Sequence, residues 1–345
     1  MKKKRVSIKD IAKHLNVSVT TVSFVLNGKA KEKRISEEVT NKILDYVKKI
    51  NYKPNQLAQS LRTGQSKILV LMVEDISNYF FSKLARVFED LAYEKGYKVL
   101  FCSNENSDKK SIELIDLFNE RQVDGFIIIP SAGIENKIKS LQQQNIPVVL
   151  LDRFFEGMEI GYVGIDNRYA SRQGIDHLNM NGFNSPAFVS IDVQQTQMLG
   201  RLEGYQEAAK EYSFKEKKLL LPYNLKSNEQ GREILKKFFN ENPELDSILF
   251  ATNYLTQLGL EVLKNDFPEK IHQLGIITFD DNALFSICTP AITAICQPIE
   301  NMAKETMNIL FQLINKPTQS TGFQNKILKT SLEVRESTKA LIERV

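Results

Sequence analysis

This 345-residue chain has no tryptophan, three histidines, three cysteines and no long apolar stretch. Its histidines, His14, His177 and His272, stand apart from any cysteine or carboxylate cluster at metal-ligand spacing, and neither a Walker-type glycine loop nor a G-x-S-x-G elbow occurs. No catalytic residue, metal site or cofactor is therefore expected. Cys102, Cys288 and Cys296 are too few and too scattered for a disulfide framework, and two of them fall in apolar, strand-like stretches. Reduced core thiols are the expectation. Apolar runs stay below the roughly eighteen residues of a membrane span, and Lys and Asp interrupt Val6, Ile8 and Ile11 where a signal-peptide core would lie. The expected protein is cytoplasmic, with no membrane partner.

Negative charge is scarce at one end only. Residues 1–62 hold fifteen Lys and Arg against five Asp and Glu, so the whole-chain charge of +4 leaves the remainder at about −6. Such asymmetry is expected when one end approaches polyphosphate, although a charge run alone is more often a solvated face.

The same segment carries helix signals. Ser7 with Asp10 forms a capping-box pattern ahead of Ile8, Ile11, Ala12 and Leu15, which share one helical face. Leu15-Asn16-Val17 supplies a turn. Ser18 then caps a second helix with Val22, Val25 and Leu26 inward, leaving Val19, Thr20, Ser23, Phe24 and Asn27 on other faces. A third helix opens at Ser36, with Glu37 and Glu38 in its first turn and Val39, Ile43, Tyr46, Val47 and Ile50 at helical spacing. The first two helices read as a helix-turn-helix, whose second helix enters the DNA major groove.

Pro54 ends the third helix, and residues 55–62 have helical spacing at Leu57, Ala58 and Leu61. Eight residues are too few for a stable isolated helix, so this segment is either a linker or a helix that folds only against a partner. Beyond it, 42% hydrophobic content over a long chain implies two or three compact units. Nine apolar runs are strand-like: 68–73, 97–102, 125–129, 146–151, 162–165, 187–191, 218–221, 248–251 and 274–279. Helical patterns lie between many of them, including residues 81–95 (Leu84, Val87, Phe88, Leu91) and 108–121 (Ile112, Ile115, Leu117). The alternation predicts a doubly wound α/β body of two Rossmann-like lobes with ligand between them.

Val6-Ser7-Ile8-Lys9-Asp10-Ile11-Ala12, Val17-Ser18, Thr21-Val22-Ser23, Asn27-Gly28, Asn51-Tyr52-Lys53-Pro54-Asn55, Ala58 and Leu61-Arg62 together resemble the LacI/GalR family, the lactose and purine repressors among it. Val123-Asp124-Gly125-Phe126-Ile127, Arg201-Leu202 with Gly204-Tyr205, Thr278-Phe279-Asp280-Asp281, Pro290-Ala291-Ile292-Thr293, Gln297-Pro298 and Leu332-Glu333-Val334-Arg335-Glu336-Ser337-Thr338 follow in matching order. The resemblance implies an all-α helix-turn-helix domain (1–50), a hinge segment with a hinge helix (51–64), and a periplasmic-binding-protein-like body (65–345). Its N-lobe would be 66–164 plus 294–322 and its C-lobe 165–293 plus 323–339.

What the resemblance implies for function is a cytoplasmic transcriptional repressor. It would bind a near-palindromic double-stranded operator as a homodimer, under control of a sugar-like effector. An activator or corepressor-dependent regulator is the alternative, and a sugar-binding protein without a DNA role a distant one. Val19, Thr20 and Phe24 occupy the base-reading positions. Ser18, Thr21, Ser23 and Asn27 occupy the phosphate-contacting ones, with Ser7 and Asn55 also at the DNA, Ala58 where paired hinge helices approach, and Leu61 as the wedge in the central minor groove. Phe24 stands where many relatives carry Arg, His or Asn, so readout there is apolar unless the ring leans into the core. The effector cleft would be lined by Tyr79, Phe80, Ser131, Asp152, Arg153, Asp166, Gln197, Arg201, Asn253 and Asp280. Arg201 and Asp280 are expected to face each other, as a clamp on ligand hydroxyls or as a structural ion pair. Residues 340–345 are too short for a tetramerising heptad helix, which makes a dimer the expected assembly.

Overall fold

The structure, a computed structural model, describes residues 6–52, 64–223, 225, 228–315 and 324–339. The chain divides into two units, Met1–Ser66 and Lys67–Val345. In the first, α1 (Ile8–Leu15), α2 (Val19–Leu26) and α3 (Glu37–Lys49) start where the caps predict. The Ser7 hydroxyl accepts from the Asp10 backbone N–H while the Asp10 carboxylate takes the Ser7 N–H at 2.8 Å. Asn16 ends α1 in the left-handed region (φ 53°), a conformation that asparagine tolerates and that turns the chain into α2. Ile11, Ala12, Leu15, Val22, Val25 and Ile43 form the core, and Ile8, Leu26, Val39, Tyr46, Val47 and Ile50 pack around it half-buried. Each fully buried Ile or Val contributes roughly 1.5–3 kcal/mol, which lets three short helices hold together.

The second unit holds two six-stranded sheets. In the first lobe β1 (Ile68–Val73), β2 (Lys98–Ser103), β3 (Gly125–Ile128), β4 (Val148–Leu151), β5 (Gly161–Ile165) and a late strand, Asn325–Leu328, run in the order 2-1-3-4-5-late, all parallel. The connecting helices are α4 (Tyr79–Glu94), α5 (Asp108–Glu120) and α6 (Glu135–Gln143). The second lobe repeats the plan with β6 (Pro186–Asp192), β7 (Lys217–Pro222), β8 (Ser247–Phe250), β9 (Gly275–Phe279) and β10 (Thr293–Cys296), in the order 7-6-8-9-10, and an antiparallel edge strand, Ser331–Glu333, closes it. Its helices are α7 (Asn167–Met180), α8 (Thr196–Glu211), α9 (Asn228–Glu241), α10 (Asn253–Asp266) and the short α11 (Ala283–Ile287). Helix α12 (Ile299–Asn315) returns to pack on β3, β4 and β5 of the first lobe. The late strands are β11 (Asn325–Leu328) and β12 (Ser331–Glu333).

Four features differ from expectation. Strand β10 pairs in the second sheet and β11 in the first, so the second and third crossings follow Cys296 and Leu328 rather than residues 293 and 322. Neither β11 nor β12 shows an apolar run, because both are edge strands with largely exposed side chains. On α5, Ile115 is buried but Ile112 and Leu117 are exposed, so only part of the apolar set faces the sheet. The three cysteines are free and only half-buried, so they border the core rather than lie within it.

Candidate DNA-reading face and inter-lobe cleft

Helix α2 bears no charged residue, and most of its polar groups serve its own backbone. Ser18 Oγ accepts from the Thr21 N–H at 2.9 Å and lies 2.8 Å from Thr21 Oγ1. The Asn27 amide donates to the Ser23 carbonyl oxygen at 2.6 Å and reaches its hydroxyl at 3.3 Å. Val19 and Thr20 are exposed, as are Ser7, Ser18 and Asn27, whereas Thr21, Ser23 and Phe24 are half-buried. Phe24 stays partly accessible, with the Lys33 ammonium 5.6 Å from its ring centroid. Asn55, Ala58 and Leu61 lie outside the described residues.

The body's chemistry gathers at the C-terminal edges of both sheets, where doubly wound folds place ligands. Glu74 follows β1, Asp152 and Arg153 follow β4, Thr252 follows β8, Asp280 follows β9 and Gln297 follows β10. Asp152 (φ 64°) and Asp280 (φ 69°) both sit in the left-handed region directly after a core strand. The two lobes thus use one device, a sharp turn that aims a carboxylate into the seam, and sparsely populated backbone of this kind concentrates at functional sites.

Arg153 is nearly fully buried and spends its fork on neighbours. It pairs with Glu74, donates to Asn106 Oδ1, and has Asp152 Oδ2 at 3.7 Å. Across the seam Gln197, with its amide oxygen turned to the guanidinium, accepts from Nε at 2.6 Å and Nη2 at 3.3 Å. Two further links join the lobes. Asn78 and Asn253 exchange amide hydrogen bonds at 3.4 and 3.2 Å, and the Tyr223 hydroxyl donates to Glu74 Oε1 at 3.0 Å. The lobes are therefore shut on one another, and the cavity between Glu74, Asp152, Arg153, Gln197, Arg201 and Asp280 is only about 40 Å³. That is water-sized, well short of a sugar ring. A pocket of about 250 Å³ adjoins it, sharing Phe80, Asp280 and Gln297 and adding Tyr79.

Arg201 and Asp280 line one cavity without pairing. Arg201 donates to Asn167 Oδ1 at 2.8 Å and the Ala251 carbonyl at 2.6 Å, and its guanidinium lies 3.7 Å over the Phe279 ring. Asp280 instead accepts from Gln297 Nε2 at 2.7 Å. Burial pushes the Asp280 carboxyl up against the pull of Arg201 and Gln297, and pushes Asp152 up to about 6 against the pull of Arg153 and Arg201.

Two expected cleft residues are elsewhere. Ser131 is buried with its hydroxyl 2.9 Å from that of Ser111, which turns it toward α5 and off both cavities. Asp166 is exposed and caps α7 through the Tyr169 N–H at 2.9 Å. Asn253 lies at the seam as a cross-lobe link rather than as cavity lining.

Residues 7–55 match the family described as bacterial regulatory proteins, lacI family, and residues 65–310 match periplasmic binding proteins and sugar binding domain of LacI family. The chain belongs to the LacI family. It is 30% identical over 335 residues to the ribose operon repressor of Halalkalibacterium halodurans, covering 96% of this chain and 97% of that one. Identity is 28% over 333 residues to the HTH-type transcriptional regulator RegA of Clostridium saccharobutylicum, covering 96% and 99%. Among solved structures, the lac repressor dimer bound to operator and the anti-inducer ONPF shares the fold at TM-score 0.83 and 20% identity, over 98% of this chain and 100% of that one. The complex of transcriptional regulator CelR with cellobiose does so at 0.68 and 21%, over 96% and 100%.

Within this LacI-family body, Glu74, Asn78, Phe81, Thr252 and Tyr254 also line the smaller cavity, and no motif in the sequence singles them out. A positional signal existed for Glu74 and Thr252, since each directly follows an apolar strand run, where a parallel sheet presents side chains to a ligand. Among the described residues no helix is long and apolar enough to cross a membrane.

Proposed function

We propose that this LacI-family chain is a repressor that binds a near-palindromic operator as a homodimer, with its operator affinity set by a small sugar held between the lobes. The observation that carries the ligand class is the lining of the seam. Carboxylates Asp152 and Asp280, guanidinium Arg201, amides Gln197 and Gln297, and rings Phe80 and Tyr254 converge there. Ionised groups matched to vicinal hydroxyls, beside flat apolar faces, are what a pyranose or furanose requires. The named ribose operon repressor and the cellobiose complex both favour carbohydrate. Ligand entry opens the latch of Arg153, Asn78 and Tyr223, and the resulting change of lobe angle alters operator affinity. Calorimetry with ribose and other monosaccharides tests the reading: millimolar or tighter binding by a pentose or hexose supports it, and none across the panel overturns the ligand class.

The buried carboxylate predicts a pH dependence. The shut lobes hold Asp152 at about 6, above its ordinary 3.8, so closure is favoured while the group is protonated and is opposed as pH rises through about 6. Glu74, Arg153, Arg201 and Asp280 face the same space. Ligand-free protein should lose a few degrees of Tm between pH 5 and 8, and Asp152→Asn should flatten that loss. Parallel profiles for the two proteins would remove Asp152 as the source.

A two-fold operator needs a two-fold protein. Leu100 and Phe101 on β2, Ile112 and Leu117 on α5, and Leu284 and Ile287 at α11 are large apolar side chains left exposed, Ile287 at 77%. We assign these to the dimer contact. Ile287→Asp, at a site 77% exposed, and Phe101→Asp, at one 38% exposed, should shift sedimentation from dimer to monomer and weaken operator binding at least tenfold, with an unchanged Tm checking that each variant stays folded. Dimers that persist in both variants would place the contact elsewhere.

A further inference from the structure

The reading helix has no cation of its own. Across Val19–Leu26 the outward groups are Val19, Thr20 and Phe24, of which only Thr20 can hydrogen-bond a base, since Ser18, Thr21, Ser23 and Asn27 are engaged with one another or with backbone. The following loop is the opposite. Lys29, Lys31, Lys33 and Arg34 are all exposed within six residues, opposed there by Glu32 alone. Of these cations, Lys33 is the one that reaches back to α2, and its ammonium lies 5.6 Å from the centroid of the Phe24 ring. The ammonium lies within cation–π range of the ring, which is itself half-buried, and this attraction biases the lysine toward the reading helix. Lys33 also pairs with Glu32 at 2.9 Å, but that pair is exposed, and exposed pairs are weak enough for a duplex to replace.

We propose that Lys33 is a specificity-determining residue that supplies, from the loop, the donor that α2 lacks. The Phe24 ring packs on a thymine methyl in the major groove, and the Lys33 ammonium donates to O6 and N7 of guanine at the adjoining base pair. A composite of ring and loop cation thereby reads one guanine per half-site. A long flexible side chain would do this poorly if unrestrained, and the ring provides the restraint.

The proposal deepens the operator reading above and rests on it. Full-length protein is used to select from a randomised duplex library, alongside Lys33→Gln, Lys33→Arg and Lys31→Gln, with each selected motif measured across a salt series. The expected result is that Lys33→Gln loses discrimination for guanine at one position per half-site by about tenfold, keeping its preferences elsewhere. Lys33→Arg should restore the guanine, and Lys31→Gln should weaken all sequences alike. If Lys33→Gln selects the unaltered motif with uniformly lower affinity and a salt slope smaller by about one, Lys33 is a phosphate contact and the proposal fails. An unaltered motif at unaltered affinity fails it as well. Failure of wild-type protein to select any motif would instead fail the operator reading itself, and this proposal with it.

Discussion

Replacing Asp280 by alanine is expected to weaken the cleft sugar by at least about a hundredfold while leaving ligand-free operator binding near wild type. The carboxylate is half-buried where the two cavities meet, stands in a left-handed turn that aims it into the seam, and has one side-chain hydrogen-bond partner in the described structure, the Gln297 amide. Its second oxygen is left for ligand. Charge-assisted hydrogen bonds contribute roughly 1.5–3 kcal/mol each, so losing one or two of them, and freeing Gln297 from its orientation, accounts for two or more orders of magnitude. Titration calorimetry with the best monosaccharide measures the loss. Asp280→Asn serves as the companion, because it keeps the shape and the Gln297 contact while removing the charge. An affinity unchanged in both variants would mean that the sugar binds elsewhere.

The second large effect is on stability. Gly204 lies in α8 where it crosses α7, and a Cβ there would overlap the Arg168 carbonyl oxygen and stand 2.9 Å from the Arg172 backbone nitrogen. Both obstacles are backbone, so neither can rotate away. Gly204→Ala must push two helices apart, a strain of about 1–3 kcal/mol or more, and should lower Tm by roughly 5–10 °C. Arg201 lies one turn earlier on the same helix, so its stacking on Phe279 should loosen too and ligand affinity should fall with stability. Gly200→Ala is the control, since its nearest obstacles are at 3.2 and 3.5 Å, and it should cost clearly less. Equal melting temperatures for Gly204→Ala and wild type would show that the helix pair is more plastic than its spacing implies.

Much of the architecture could be read from local pattern. The capping residues Ser7, Ser18 and Ser36 mark helix starts because a short side chain that satisfies the first free N–H groups works within three residues of chain. Central strands are legible for a related reason. Val70, Ile127, Val149 and Ile277 are buried on both sheet faces, so every residue in their runs must be apolar. Strands β10, β11 and β12 lacked that signature, as short or edge strands do. The cleft was half legible. Phe80, Asp152, Arg153, Gln197, Arg201 and Asp280 do meet at one cavity, but Ser131 and Asp166 do not, because each found a local hydrogen-bond partner. Glu74 and Tyr254 line the same cavity although they lie in no motif.

Local sequence decided where each helix and central strand begins, because caps and apolar periodicity act over a few residues. It also decided that the cationic end and the ligand-binding body are separate units. Only the tertiary structure decided that Arg153 is held by Glu74 and Gln197, that Arg201 lies over Phe279 rather than pairing with Asp280, and that Lys33 stands beside Phe24. Those outcomes depend on which acceptor or ring the fold brings within about 3–6 Å of a long side chain, and no spacing along the chain encodes that.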